Sequence, residues 1–241
     1  MFKDKVVLIT GGSSGIGMAT ALLFAENRAN IIITYKSNKK GAQEVINKIQ
    51  KMGQKALAIK ADLIKEKNAK KVVDRVVKMF GRIDILVNNA GRYIDGDEWN
   101  LDSNTWIKSL KQNLVSVMNM SKYAIFVFQK QGRGIIINIA SQHAISGQAD
   151  AISYGAAKAG VINITQSYSK LLAPFGGRAN SVSPSAANTG YWLTAPKEEL
   201  EERLSQTTNG KLVEPIEIAE KIVFLASDEA KNINGQNFLI E

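Results

Sequence analysis

The chain has 241 residues, 45% hydrophobic and 22% charged, as in ordinary globular domains, with a formal net charge of +9. It contains no cysteine and a single histidine, His143. That excludes disulfides, thiolate nucleophiles, cysteine-ligated metals and multi-histidine metal sites, so no metal is expected. The opening MFKDKVVLIT is too short for a signal-peptide core, and no segment approaches the ~18 apolar residues of a membrane span. A cytoplasmic location without a membrane partner is the expectation.

KVVLIT (5–10) is apolar, β-branched and stopped by glycines, which predicts a buried strand. Residues 15–27 carry Ile16, Ala19, Leu22, Leu23 and Phe24 at helical spacing, and NIIITY (30–35) returns to strand. A helix is predicted over 39–52, with Val45, Ile46 and Ile49 on one side, then strand KALAIK (55–60) and a helix over 66–80. IDILVNNAG (83–91) reads as a strand entering a loop, and a long helix is predicted over about 103–130. GIIINIAS (134–141) is strand, 152–173 helix and RANSVSP (178–184) strand; a helix follows Pro215, and QNFLI (236–240) closes as strand. This alternation predicts one α/β domain over 1–241, a doubly wound parallel sheet with helices on both faces. Ligands of such sheets bind at the carboxyl ends of the strands.

TGGSSGIG (10–17) joins the first strand to the first helix, with Gly11, Gly15 and Gly17 in a G-x-x-x-G-x-G spacing. Glycines permit a tight turn and close approach of backbone to a pyrophosphate, while the helix start offers free N–H groups. NAD-selective dinucleotide folds place an acid about twenty residues further on, to bind the ribose 2′-hydroxyl. Here that stretch reads Thr34, Tyr35, Lys36, Ser37, Asn38: a charge on Lys36, donors on Ser37 and Asn38, and no carboxylate to repel a 2′-phosphate. NADP is the expected cofactor, with NAD as the alternative.

In SYGAAKAG (153–160), Tyr154 and Lys158 stand four apart on one helix face, among residues small enough to let something large approach. Alone, the pair reads first as a packing ring beside a solvated charge. The lysines crowded between Lys36 and Lys71 are spread singly along helices, so they read as a solvated face attractive to anionic cofactors, not as a nucleic-acid interface.

The ordered set resembles the short-chain dehydrogenase/reductase family in its single-domain form, over essentially all 241 residues. Besides the glycine turn it includes Asp62, NNAG (88–91), Asn113, Ser141, Tyr154 thirteen residues later, Lys158, and NSVSP (180–184) with Thr189 beyond. The resemblance implies a Rossmann-type fold and hydride transfer between nicotinamide and a ketone or secondary alcohol. It implies Tyr154 as proton donor in reduction and base in oxidation, with Lys158 favouring the phenolate and binding the ribose. Ser141 would donate to the substrate carbonyl oxygen, and Asn113 would position a water that relays protons to Lys158. Asn113 also fits a polar residue mending a helix irregularity, and Asp62 a helix start.

The cofactor cradle implied by the resemblance takes Gly11, Ser13, Ser14, Gly15, Ile16 and Gly17 from the glycine turn. It adds Tyr35, Lys36, Ser37 and Asn38 after the second strand, and Asp62 and Leu63 after the third, with Asp62 accepting from the adenine amine. Asn88, Asn89, Ala90 and Gly91 follow the fourth strand, and Pro184 and Thr189 the sixth; Tyr154 and Lys158 complete it. Ser185 stands where the family has glycine, and the chain stops at Glu241 where the family tail continues, which weakens one expected contact of a homotetramer and leaves a dimer as the alternative. The long helices at about 103–130 and 152–173 would form the main subunit contacts.

Among relatives the pattern is most like 3-oxoacyl-(acyl-carrier-protein) reductases, with sugar or polyol dehydrogenases and general ketone reductases as rivals. A catalytically inactive cofactor-sensing scaffold would lack one of Asn113, Ser141, Tyr154 and Lys158, and all are present. Residues 189–210 are the expected lid, where Tyr191 and Trp192 line an apolar pocket or anchor the lid. His143 is expected near the mouth, as a loop residue or a second acid. Lys130, Arg133 and Lys170 are expected near the ends of elements flanking that mouth, where they read first as solvated charges and alternatively as a surface for an acidic carrier protein.

Overall fold

Short β-branched runs with no polar face can be satisfied only by burial on both sides, and that is where this chain puts them. A computed structural model describes residues 1–93, 99–205, 207 and 209–241, with Tyr191 by its backbone alone. The strands are β1 (Val6–Ile9), β2 (Asn30–Tyr35), β3 (Ala56–Lys60), β4 (Ile85–Asn88), β5 (Ile135–Ile139), β6 (Arg178–Pro184) and β7 (Asn237–Ile240). They form one parallel sheet in the order β3-β2-β1-β4-β5-β6-β7. The helices are α1 (Gly15–Glu26), α2 (Lys39–Lys51), α3 (Glu66–Phe80), α4 (Ser103–Leu110), α5 (Ser116–Gln131), α6 (Ile152–Leu172), α7 (Lys197–Ser205) and α8 (Pro215–Ala226).

The pleat sorts the strand side chains into two cores. Ile31 and Ile33 of β2 join Phe24 of α1, Ile49 of α2 and Ile222 of α8. Ile32, from the same strand, faces the other way and packs with Val72 of α3 and Met120 and Phe128 of α5. Both cores are sealed, so open space is left at the strand ends. The strand order reverses between β1 and β4, the switch point at which such sheets bind ligands.

The long helix expected over 103–130 is interrupted. Between α4 and α5, residues Lys111–Val115 form a π-helical turn around Asn113, which is fully buried. Such bulges often mark functional sites. The expected lid contains a 3-10 turn at Gly190–Leu193 and then α7, of which no described residue is fully buried.

Candidate active site

The glycine turn is held in shape by Thr10 and Asn89, just past β1 and β4, and by Thr34 of β2. Thr10 Oγ1 accepts from the backbone N–H groups of Asn89 and Ala90, both at 2.9 Å. Asn89 Nδ2 donates back to the carbonyls of Thr10 at 2.9 Å and Gly11 at 3.1 Å. From β2, the Thr34 carbonyl accepts from Gly12 at 3.0 Å and Thr34 Oγ1 from Gly11 at 3.3 Å. Gly11 and Gly15 have φ of +67° and +51°, conformations that side-chain-bearing residues rarely adopt. A Cβ on Gly17 would lie 2.5 Å from both Asn89 Nδ2 and the Gly11 carbonyl, so contact alone forbids it.

The turn fits a dinucleotide. Ser14 caps α1 without a side-chain hydrogen bond, and no acid stands in the first turn, so the opening N–H groups and the positive helix end face no protein anion there. Thr189 folds over the turn, its Cγ2 3.1 Å from where a Cβ on Gly15 would sit. The segment after β6 thus reaches from the end of β6 to the phosphate cradle.

Ser141, Tyr154 and Lys158 meet above the end of β5. Ser141 follows the strand directly, is buried, accepts from the His143 N–H at 3.2 Å and hydrogen-bonds the Tyr154 phenol. Lys158 is 3% exposed and donates to the Ile139 carbonyl at 2.6 Å, with Nζ 5.6 Å from the Tyr154 ring centroid. Burial pushes the Lys158 ammonium down to about 8. Asn113 uses Nδ2 on the carbonyls of Arg92 (3.0 Å) and Ser109 (3.1 Å), and its Oδ1 accepts from the Arg92 N–H at 2.9 Å. Gly91 makes this closeness available: a Cβ there would stand 2.7 Å from Asn113 Oδ1 and 3.5 Å from Lys158 Nζ.

Some expectations need correction. The phenol of Tyr154 is not eased toward phenolate in this geometry: burial pushes it up to about 12, and only the Ser141 hydrogen bond opposes that. Tyr35 packs its partly buried ring against the core that α1 and α2 cover, because strand alternation sends it to that face. Asn38 is engaged as the N-cap of α2, accepting from Gly41 at 2.9 Å, and it donates to the Ser13 carbonyl at 3.3 Å. Lys36 and Asp62, expected to hold different parts of the cofactor, form an ion pair at 3.2 Å.

The largest correction concerns Lys130, Arg133 and Lys170. Helices return antiparallel to the strands, so helix C-termini lie at the amino edge of the sheet. Lys130 belongs to the last turn of α5, Arg133 lies two residues before β5, and Lys170 belongs to the last turn of α6 before β6. None of them flanks the mouth.

The remaining expected residues fall along the carboxyl edge or support it. Leu63 is buried, and its carbonyl accepts from Asn119 at 2.9 Å. Pro184 ends β6 opposite Ile240. The Ser185 N–H donates to the Ile240 carbonyl at 2.8 Å, while its hydroxyl is buried without a hydrogen-bond partner. His143 stands edge-on to Tyr154 with ring centroids 6.2 Å apart, and burial, then Arg203, hold its pKa below the usual imidazole value. The Tyr191 side chain, expected over the pocket, lies outside the described residues, as do Gln206 and Thr208 of the lid.

Sequence reasoning missed Tyr93, whose ring meets Tyr154 edge-on at 5.9 Å and whose hydroxyl donates to the Asp150 carbonyl at 2.6 Å. It assigned Asn88 to the cradle and did not foresee that Asn88 ends β4 buried, donating from Nδ2 to Asn138 Oδ1 across to β5 at 2.8 Å. An asparagine inside each of two apolar strand runs was the signal available for that pair.

Comparison with known proteins bears on the whole chain. The family model described as enoyl-(acyl carrier protein) reductase matches residues 11–241. A 3-oxoacyl-(acyl-carrier-protein) reductase of Thermotoga maritima is 36% identical over 97% of this chain and 95% of its own length. A cis-4-hydroxycyclohexanecarboxylate dehydrogenase of Sinomonas cyclohexanicum is 35% identical over 97% and 94%. Among solved structures, a short-chain dehydrogenase from Burkholderia cenocepacia in complex with NADP superposes with a TM-score of 0.93 at 31% identity, covering 100% of this chain and 97% of that one. An NAD+-bound xylitol dehydrogenase superposes equally well, at 0.93 and 27% identity, over 99% and 98%. Fold, matched family model and near-full-length identity agree: this chain belongs to the short-chain dehydrogenase/reductase family and is an oxidoreductase acting on CH–OH or C=O groups with a nicotinamide dinucleotide.

Proposed function

We propose that the protein is an NADP-preferring carbonyl reductase whose substrate is a ketone of the 3-oxoacyl thioester type. The observation that carries the reading is the enclosed cluster of Ser141, Tyr154 and Lys158 at the end of β5. A nicotinamide dinucleotide in the cradle supplies the hydride. Ser141 donates to the carbonyl oxygen and stabilises the charge that grows on it. Tyr154 delivers the proton from its hydroxyl; a phenol held near 12 is fully protonated at neutral pH, as a reductase requires. Lys158 binds the ribose, its ammonium being the majority form below about 8. Asn113 fixes Arg92 at the start of the loop after β4, and the family likeness gives it the role of positioning a water toward Lys158.

The substrate class draws support from the reductase of Thermotoga maritima and the cofactor from the acid-free end of β2. The xylitol dehydrogenase likeness supports a second reading, a polyol dehydrogenase using NAD. The protein acts in the cytoplasm as a homotetramer built on α4 to α6, on whose helices Ile107, Met118, Phe126 and Leu171 are exposed. The test is reduction of a 3-oxoacyl thioester, simple ketones and sugars with NADPH and NADH, with light scattering on the same sample. Turnover of sugars alone with NADH would overturn the first reading, and a monomer at micromolar concentration would overturn the assembly.

A further inference from the structure

One buried nitrogen beside Tyr154 has no task in hydride or proton transfer. His143 lies two residues after Ser141, in the 3-10 turn Gln142–Ala144, and its ring meets that of Tyr154 edge-on at 6.2 Å between centroids. Its backbone N–H donates to Ser141 Oγ at 3.2 Å. On the other side, a Cβ on Gly155 of α6 would stand 2.8 Å from the His143 carbonyl. The turn is thus pinned between Ser141 and α6, which fixes where the imidazole can reach.

Nδ1 of this ring is buried and has no hydrogen-bond partner among the described residues. It is bonded to Cγ, so it sits on the ring edge nearest the backbone that Ser141 Oγ holds. An enclosed polar atom without a partner costs free energy until one arrives. Charge sorts the candidates for that partner. Burial, then the Arg203 guanidinium of α7, hold the imidazole pKa down, with the Asp150 carboxylate as the smaller opposing influence. The ring is therefore neutral at neutral pH and carries one N–H and one bare nitrogen. A neutral, enclosed donor suits a neutral acceptor such as a second carbonyl on the substrate.

We propose that His143 is a specificity residue, its Nδ1–H donating to the thioester carbonyl of a 3-oxoacyl substrate while Ser141 and Tyr154 hold the 3-oxo oxygen. A single carbon separates the two carbonyls in such a substrate. Binding the first oxygen at Ser141 therefore brings the second beside a residue only two positions further along the chain. A simple ketone leaves Nδ1 without its partner, and the site discriminates against it for that reason. The inference rests on the 3-oxoacyl reading above and supplies the residue that tells such a substrate from a simple ketone.

The experiment measures kcat/KM, with the preferred cofactor in excess, for the N-acetylcysteamine thioester of 3-oxobutanoate and for its thioether analogue, in which CH2 replaces the thioester carbonyl. The parent should prefer the thioester. His143→Leu should lower that preference by about ten- to a hundredfold, because the second carbonyl is then enclosed without a donor. His143→Asn sets an amide N–H where Nδ1 stood and should retain most of the preference. His143→Gln sets its amide where Nε2 stood and should lose the preference as Leu does. A packing role would not produce this order. If the parent spares the thioether altogether, the contrast between the Leu and Asn variants on the thioester decides alone. Equal losses on both substrates, an Asn variant no better than Leu, or a parent that reduces the thioether as well as the thioester would overturn the assignment and leave the 3-oxoacyl reading intact. A parent inactive on the thioester but active on sugars would overturn both.

Discussion

The two halves of the carboxyl edge reach their chemistry by different physical means. On the β1 side, the glycine turn is braced by Thr10, Thr34 and Asn89, and selectivity for small residues there is set by contact distances of 2.5–3.1 Å. On the β5 side, Ser141, Tyr154 and Lys158 are set by burial, which displaces the phenol and the ammonium from their ordinary values in opposite directions. One half is a mould and the other an electrostatic device. Errors in the first should cost binding, and errors in the second should cost rate and change pH dependence.

The largest effect expected is on the electrostatic side. Tyr154→Phe keeps the ring, including its edge-on contacts with Tyr93 and His143, but removes the transferable proton. Turnover should fall by at least ~10²-fold with cofactor affinity unchanged. A variant that loses affinity and rate together would erase the distinction between the two halves.

Next comes the cofactor preference. Lys36→Asp removes the partner of Asp62 and adds a second carboxylate beside it. The ratio of kcat/KM for NADPH to that for NADH should drop by about ten- to a hundredfold, as repulsion adds to lost attraction. An unchanged ratio would take Lys36 out of the site. On the mould side, Gly17→Ala should cost about 1–3 kcal/mol of stability, because the Asn89 brace must move or break. Cofactor affinity should weaken with it while the kcat of the saturated enzyme holds. Calorimetry and steady-state rates on one preparation separate the two.

Much of this was legible in the residues. The predicted bounds of β2, α3 and β6 match the structure, because those runs are long, strongly periodic and stopped by glycine, proline or polar residues. The four catalytic candidates came from the resemblance carried by the ordered set, and the structure brings Ser141, Tyr154 and Lys158 together with Asn113 beside Gly91. The π-turn was legible only as a helix irregularity that Asn113 could mend; the contact of Asn113 with Arg92, between segments distant in sequence, was not. Nor was the Lys36–Asp62 pair, formed by two residues each assigned to the ligand. The misplaced Lys130, Arg133 and Lys170 show a different failure: helices were recognised, but which end of each meets the ligand edge follows from the return direction of the chain.

The smallest effect should be on stability, and its sign distinguishes burial from any other cause. Lys158 titrates near 8 in the folded chain against 10.5 as its ordinary value. Between those values the unfolded chain binds more protons than the folded one, so stability rises with pH across that window. Below about 8 the fold carries the full cost of an enclosed ammonium, part of which its bond to the Ile139 carbonyl offsets. Tyr154 acts later and oppositely: its phenol, raised from 10 to about 12, makes stability fall as pH climbs above 10. Lys158→Met keeps most of the volume and abolishes the titration. The melting temperature of the parent relative to this variant should therefore climb by a few degrees from pH 7.5 to pH 10, roughly what ~1–2 kcal/mol gives a domain of this size. A difference that stays flat over that range would mean the ammonium is solvated after all, and the β5 side would then be shaped by contact like the β1 side.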